Sequence, residues 1–364
     1  MSVLVLSPED IVGLVGWRDG IAAMRTAFEE FATSTVRLSN PRTRTNTGEG
    51  FRMTVHQGVT PSLRAATTTG RGEIVKILED GHQRYPKRGR PVFILFDSSD
   101  AQLLAIMIGE PTPPGLESVR AIGGYQTACC AAYCTDLVAR PDARRVGVLG
   151  SGGQAKLHLA GLAAARELHS AVVYSPTAEH CKSFAQEMSA LINLDVVAVS
   201  STDEVIAEAE ILLVCTNSNV PVLDGSTIAP GTHVTSIVHS NKELVEAGLL
   251  PAMRQEVDDA TLRRAGLVVT TNKAQEELDQ PAVLYGAAQR GVLDWASVFE
   301  VAQLIRDSSL VAEAHGRKAI TFLHNPAGWG IGAGAFVRSY YDAACRAGRG
   351  TELPIEGHED AYAW

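Results

Sequence analysis

The sequence predicts an α/β protein, a doubly wound parallel sheet joined to a smaller α+β domain, on three observations. A glycine-rich phrase near Gly150 follows a short apolar run and opens into helical composition. Beyond it, short apolar strands alternate with helical segments, the pattern of successive βαβ units. Ahead of it, residues 42–109 run as strand after strand with hairpin punctuation, the texture of a separate, mostly antiparallel sheet.

In chain order, Val3 to Leu6 reads as a strand, and Ser7-Pro8-Glu9-Asp10 starts a helix with proline in its first turn. Trp17, Ile21, Met24, Phe28 and Phe31 recur at spacings of four and three and mark one buried helix face. The strands of the next stretch end in a hairpin at Asp97–Gln102. Thr127 to Val138 is an apolar helix stopped by Ala139-Arg140-Pro141-Asp142.

Val146, Val148 and Leu149 then give a buried strand, followed by Gly150-x-Gly152-x-x-Ala155. Gly150 permits the tight turn, and Gly152 lets the backbone approach a pyrophosphate. Ala155 keeps the new helix close to the strand, and the helix amides favour the anion. Ser151, Gly153 and Gln154 complete this Rossmann-type loop, for which the bland alternative is a turn without ligand. A helix over about 154–167 leads to a second strand, Ser170–Tyr174. The carboxylate that would bind the 2′-hydroxyl of NAD is missing there, since Ser175-Pro176-Thr177 follows and the first acid is Glu179. NADP(H) is therefore preferred over NAD(H), with Ser175 and Thr177 as donors to a 2′-phosphate. Further strands are expected at 194–199, 211–215, 233–238 and 267–271. Ligands gather at strand C-termini, so Thr216, Asn217, Ser218, Ser236 and Ile237 should face the cofactor. Asn325 to Gly334 reads as a glycine-rich loop, either a flexible connection or a close approach to the nicotinamide with Asn325 in contact. A last helix is expected over about 335–347.

Composition bounds the function. At 364 residues, 45% hydrophobic and 20% charged, the chain is an ordinary globular sequence with room for two domains. A formal net charge of −9 argues against nucleic acid and against an anionic membrane as partners. The start lacks the features of a signal peptide, and no apolar run reaches spanning length. Six cysteines without C-x-x-C or metal spacing read as small buried residues in a reducing cytoplasm, so the expected location is cytoplasmic and no metal is expected.

The chain resembles the ornithine cyclodeaminase/mu-crystallin family from about Pro8 to Pro354. The phrases that carry the likeness are Leu104-Ala-Ile-Met-Ile-Gly109, Leu137-Val-Ala-Arg-Pro-Asp142, Gly150-Ser-Gly-Gly-Gln-Ala155 and Val173-Tyr-Ser-Pro-Thr177. Pro221-Val-Leu-Asp-Gly225, Pro230-Gly-Thr-His-Val234, Glu256-Val-Asp-Asp259 and Gly350-Thr-Glu-Leu-Pro354 add to it. The resemblance implies a Rossmann domain over 126–334 and a sheet domain over 1–125, completed by the last helix and tail (about 335–364). It further implies a homodimer paired through that sheet domain. Members cyclise ornithine or lysine with loss of ammonia, reduce cyclic imines, or act as amino-acid dehydrogenases.

Carried over residue by residue, the family's first substrate arginine matches Arg42, with Arg44 two places on. The lysine that meets the substrate carboxylate falls near Ala66, the arginine of R-T-A-A is Gln126, and the cyclodeaminase aspartate falls near Ser240. The cofactor half is kept while the amino-acid half is rewritten, which removes two charge-assisted carboxylate contacts. His56 and His239 are the candidate proton carriers, being able to give or take a proton near neutral pH. Arg42, Arg44 and Gln126 are the candidate substrate contacts, while Arg64, Arg120 and Lys242 read as solvated cations. The expected activity is NAD(P)-dependent redox chemistry at the C=N or C–N bond of a small imine or amine. The alternatives are an ammonia-eliminating cyclodeaminase with bound NAD, or a non-catalytic binder of NADPH and a small ligand.

Overall fold

A computed structural model describes residues 2–47, 49–79, 83–119, 121, 123–238, 242–248, 250, 253–279, 283–326 and 330–355. Among the described residues two eight-stranded sheets form. The first contains β1 (Ser2–Leu6), β2 (Thr43–Asn46), β3 (Phe51–Thr60), β4 (Ala65–Ile77), β5 (Gln83–Arg88), β6 (Val92–Phe96) and β7 (Leu103–Ile108). The second contains β8 (Arg145–Leu149), β9 (Ser170–Tyr174), β10 (Asp195–Ala198), β11 (Ile211–Val214), β12 (His233–Ser236), β13 (Ala265–Thr270), β14 (Val298–Glu300) and β15 (Ile320–His324). The chain then returns, and β16 (Thr351–Pro354) pairs antiparallel with β1 in the first sheet.

The first sheet runs β16-β1-β7-β6-β4-β3-β2, with β5 paired to β4; its pairings are antiparallel except β1 with β7. The second runs β10-β9-β8-β11-β12-β15-β13-β14 and is parallel throughout. Strand order reverses at β8, so β8 and β11 diverge at their C-terminal ends and leave the crevice in which such sheets bind ligands. This is the α/β fold with a Rossmann-type sheet that the sequence predicts.

The predicted face of the Trp17–Thr33 helix is the one that packs inward, with Met24 and Phe28 fully buried and Ile21 nearly so. It meets the Gly124–Val138 helix so closely that a Cβ on Gly20 would lie 2.8 Å from the Cys129 sulfur. Trp17, Tyr125 and Phe336 form an edge-to-face aromatic chain with centroids 4.8 and 5.2 Å apart. Tyr125 also donates its hydroxyl to the Val15 carbonyl, 2.9 Å away, so its polar tip is satisfied inside the core.

Three expectations need correction. The glycine-rich stretch is not a loop as far as Gly334: the last helix begins at Gly330 and runs to Ala347. Its glycines serve packing, because a Cβ on Gly330 would collide with the Gln57 carbonyl of β3 and one on Gly334 would sit 3.0 Å from the Thr60 hydroxyl. The strands β14 and β15 had no counterpart in the sequence reading, and β15 inserts between β12 and β13. Finally, five cysteines are buried but Cys345 is exposed, so the sixth is not a core residue. Among the described residues no helix is long and apolar enough to cross a membrane.

Candidate active site

The turn after β8 is built around Gly150, whose φ of +106° lies in the region open to glycine, and a Cβ there would collide with the Cys215 carbonyl. Gly152 caps the Gly153–Ala165 helix, and a Cβ added to it would meet nothing within 4 Å. Open space over a helix N-terminus, beside a backbone that can come close, fits a dinucleotide pyrophosphate. Ala155 is fully buried against the strand, as its role in helix packing requires. Gly150, Ser151, Gly152, Gly153 and Gln154 line a cavity of about 760 Å³ whose walls come from both sheets.

At the end of β9, the Ser175 hydroxyl lies 2.8 Å from that of Ser151, and its backbone N–H meets the Cys181 sulfur at 2.9 Å. Thr177 caps the Ala178–Ile192 helix without a side-chain cap bond, which leaves its hydroxyl available. Both line the cavity with His180 and Thr202, and Glu179 does not. His180, which the sequence reading did not single out, sits in the first turn of the helix after Thr177.

Opposite, Thr216 and Asn217 line the cavity at the end of β11, as do Ile237, Val238 and Asn325. Ser218 turns aside and donates to the Val220 carbonyl. Ser236 is fully buried beneath the surface, where its hydroxyl donates to Glu256. Neither residue lines the cavity, so both support its wall from behind. Glu256 is the organising group. Its carboxylate, wholly buried, accepts from the Thr216 N–H and hydroxyl (2.9 and 2.8 Å), the Ser236 hydroxyl (2.9 Å), and the N–H groups of Ile237 and Val238 (3.2 and 3.1 Å). Burial pushes its pKa up while the bonds from Thr216, Ser236 and Ile237 pull it down, and the raising effect dominates. One side chain thus ties the C-terminal ends of β11 and β12 together. Asn325 is similarly committed, donating to the Thr127 carbonyl at 3.2 Å and accepting from Thr271 at 3.4 Å.

The first sheet supplies the other wall. Its register places side chains in cross-strand rows on one face: Arg44–Thr54–Arg71, Asn46–Arg52–Glu73–Arg88, and His56–Thr69–Phe93. Glu73, with a side chain 1% exposed, takes the Arg52 Nε at 2.7 Å and has Arg88 at 3.4 Å and Arg71 at 3.9 Å. Arg88 also covers the Tyr85 ring, 3.7 Å from its centroid. Glu110 reaches in from beyond β7 and accepts from the Gly123 N–H; burial raises its pKa to about 7 against the pull of Arg71. His56, Gln126, Arg44 and Arg254 line the same cavity.

Arg42 also borders the cavity, but its side chain is 3% exposed and pairs with Asp279 at 2.7 Å. It donates to the Pro326 carbonyl at 3.2 Å, and its N–H meets Gln275 at 2.6 Å, so it clamps the approach to β2 onto the second sheet's connections. Arg64 is a surface group paired with Asp97, and Lys242 pairs with Glu246. His239, Ser240 and Arg120 lie outside the described residues. Arg52, Arg71, Glu73, Arg88, Glu110, Arg254 and Glu256 were missed as site residues by the sequence reading. The signal was present for three of them in the alternation Arg52-x-Thr54-x-His56 and Thr69-x-Arg71-x-Glu73, while Arg88 joins them only through its pairing opposite Glu73.

The family model of ornithine cyclodeaminase/mu-crystallin proteins matches residues 4–291. The chain belongs to this family. It is 25% identical over 230 residues to ketimine reductase mu-crystallin of Mus musculus, covering 63% of this chain and 66% of the mouse protein, just under two-thirds of that length. It is 27% identical over 277 residues to Delta(1)-pyrroline-2-carboxylate reductase of Paracoccus denitrificans, covering 74% and 75% of the two chains. The fold is shared with the Thermococcus litoralis Delta(1)-pyrroline-2-carboxylate reductase solved with NADH and L-proline (TM-score 0.76, 22% identity, 96% and 100% of the chains). It is also shared with the iminosuccinate reductase of Paracoccus denitrificans solved with NAD+ (TM-score 0.78, 20% identity, 98% and 100%).

Proposed function

We propose that the protein is an NAD(P)H-dependent oxidoreductase that reduces the C=N bond of a small imine, with NADPH preferred over NADH. The observation that carries this reading is one cavity bounded on one side by the Gly150–Gln154 cradle and on the other by a sheet face bearing arginines, Gln126 and His56. Family membership supports it, as do the reductase names of the relatives.

Gly150 and Gly152 hold the pyrophosphate by close backbone approach, and the helix N-terminus supplies its amides. Ser175, Thr177 and His180 offer donors to a 2′-phosphate where NAD-specific proteins of this fold carry an acid. The bound reduced nicotinamide supplies a hydride to the imine carbon. His56 gives a proton to the imine nitrogen, Gln126 orients the substrate, and the arginines hold its carboxylate. The first sheet, residues 1–125 with the returning last helix from Gly330, forms the substrate and dimerisation domain, and 126–329 the dinucleotide domain of a homodimer.

The test is NADPH consumption by the purified protein against a panel of cyclic and linear imines. Activity with a lower KM for NADPH than for NADH is the expected result, and His56→Asn should cut kcat while leaving NADPH affinity in place. No NADPH consumption on any imine, or unchanged kcat in His56→Asn, overturns the reading or the role of His56 respectively. Light scattering showing a monomer at micromolar concentration would remove the dimer.

A further inference from the structure

Behind the cavity wall lies a buried ion pair to which imine reduction assigns no task. His324 ends β15 and Glu276 lies in the Lys273–Leu278 helix; both side chains are fully buried and neither lines the cavity. The His324 Nδ1 meets the Glu276 carboxylate, and its Nε2 lies 3.1 Å from the Val238 carbonyl. A carbonyl oxygen only accepts, so Nε2 carries a proton, and beside an ionised Glu276 the Nδ1 carries a second. Burial alone would strip that charge. The Glu276 carboxylate more than offsets it, with Glu256 adding to the effect, and the His324 pKa is raised. Glu276 takes the Thr270 hydroxyl at 2.9 Å on the same oxygen, while its other oxygen has no hydrogen-bond partner among the described residues. A carboxylate this poorly solvated is costly to bury. What it achieves is the orientation of one imidazole.

That ring completes a clamp on the end of β12. Glu256 takes the N–H groups of Ile237 and Val238 at 3.2 and 3.1 Å, and His324 donates to the Val238 carbonyl from the neighbouring strand, where it pairs with Ser236. Both backbone groups of Val238 are thereby committed to buried side chains, while Ile237 and Val238 line the cavity. Asn325, the next residue after His324, lines it too, and its N–H donates to the Ser236 carbonyl at 2.9 Å. A dinucleotide with its pyrophosphate over Gly152 and its adenine-side ribose at Ser175 extends across the crevice to this wall, so Ile237, Val238 and Asn325 face its nicotinamide half. Without the Nε2 donor the buried Val238 carbonyl has to find another partner, and the peptide that carries it shifts against that half.

We propose that His324, oriented by Glu276, is a positioning residue for the nicotinamide half of the cofactor and acts through the Val238 carbonyl. This rests on the dinucleotide assignment of the cavity and not on which imine is reduced.

The test compares two nucleotides on the purified protein by calorimetry: NADPH, and 2′,5′-ADP, which keeps the adenine-side half and has no nicotinamide. NADH and ADP serve as the pair if NADH is the tighter cofactor. His324→Asn puts an amide nitrogen near the place of Nδ1, beside Glu276, and loses the Val238 bond. His324→Gln puts its amide nitrogen near the place of Nε2 and keeps that bond. In His324→Asn the NADPH dissociation constant should rise about tenfold while that of 2′,5′-ADP stays within about twofold of the wild type. His324→Gln should recover most of the NADPH affinity, although both variants should lower Tm because Glu276 loses its countercharge. A His324→Gln variant that binds NADPH no better than His324→Asn overturns the proposal. If His324→Asn fails to fold, the His324→Asn/Glu276→Gln double variant, which strands no charge, carries the same comparison. A wild type that binds neither nucleotide sinks the dinucleotide assignment and the positioning role with it, whereas a wild type that binds both, with an unchanged ratio of the two affinities in His324→Asn, sinks the positioning role alone.

Discussion

Arg42 is the residue on which the sequence and the structure give different expectations, and removing it separates them. As a substrate contact alone, Arg42→Ala would raise the substrate constant and spare stability. In the structure its guanidinium and the Asp279 carboxylate meet at 2.7 Å with side chains 3% and 11% exposed, and a further bond runs to the Pro326 carbonyl. Truncation leaves Asp279 as a poorly solvated charge without its principal partner, which costs about 3–5 kcal/mol for a buried pair broken on one side. With roughly 2.1 cal/mol/K of unfolding entropy per residue over 364 residues, that loss lowers Tm by about 4–7 °C if unfolding is cooperative. The assay is thermal unfolding of the wild type, Arg42→Ala, Asp279→Asn and the double variant, each with and without NADPH. The double variant should be more stable than Arg42→Ala, because no charge is stranded. A Tm for Arg42→Ala within 1 °C of the wild type, with only the substrate constant raised, would refute the clamp and restore Arg42 as a substrate anchor.

Three further outcomes follow from particular groups. Ser175→Asp, placed at the end of β9, should weaken NADPH at least tenfold more than NADH in fluorescence titration, and equal losses would sink the 2′-phosphate assignment. Glu110 carries a pKa raised from 4.5 to about 7, so the folded state binds the extra proton between those values. Stability from this group is therefore full below pH 4.5 and falls as pH rises towards 7, by up to about 3 kcal/mol. Glu110→Gln should flatten that part of the denaturant-derived stability profile, and parallel profiles would show that the carboxyl titrates normally. Glu256→Ala strands five donors at the ends of β11 and β12 and should cost about 4 kcal/mol or more, with NADPH affinity lost as well; a cost under about 1 kcal/mol would mean water replaces the carboxylate freely.

What was legible in the sequence was local. Gly150 had to be glycine because a tight turn leaves no room for a Cβ beside Cys215, and that constraint writes itself into a short phrase. The face of the Trp17–Thr33 helix was readable because its period is set by its own geometry. The place of β15 was not, since Ile320–His324 is fully buried and pairs with two strands distant in sequence, and order along the chain does not encode order across the sheet. Glu256 was visible inside a family-like phrase but without a role, because its partners Thr216 and Ser236 lie 40 and 20 residues away. The glycines of 330–334 were misread for a related reason: their close neighbour is β3 across the fold, and glycine enrichment does not say what approaches.

The rewritten substrate half looks different once strand faces are assigned. Ala66, near which the family's lysine falls, pairs with Val59 and alternates out of phase with Thr67, Thr69, Arg71 and Glu73. Thr69, Arg71 and Glu73 line the cavity and Ala66 does not. Ala66 itself does not face the cavity, whereas Arg71, further along the same strand, does. Gln126 does line the cavity, in the first turn of its helix, with a neutral side chain that can donate or accept. Across from it, Arg44 and Arg71 bring charge from the sheet. Arg44 on β2 and Arg71 on β4 both stand opposite Thr54 on β3, so the sheet register sets the spacing of these two arginines.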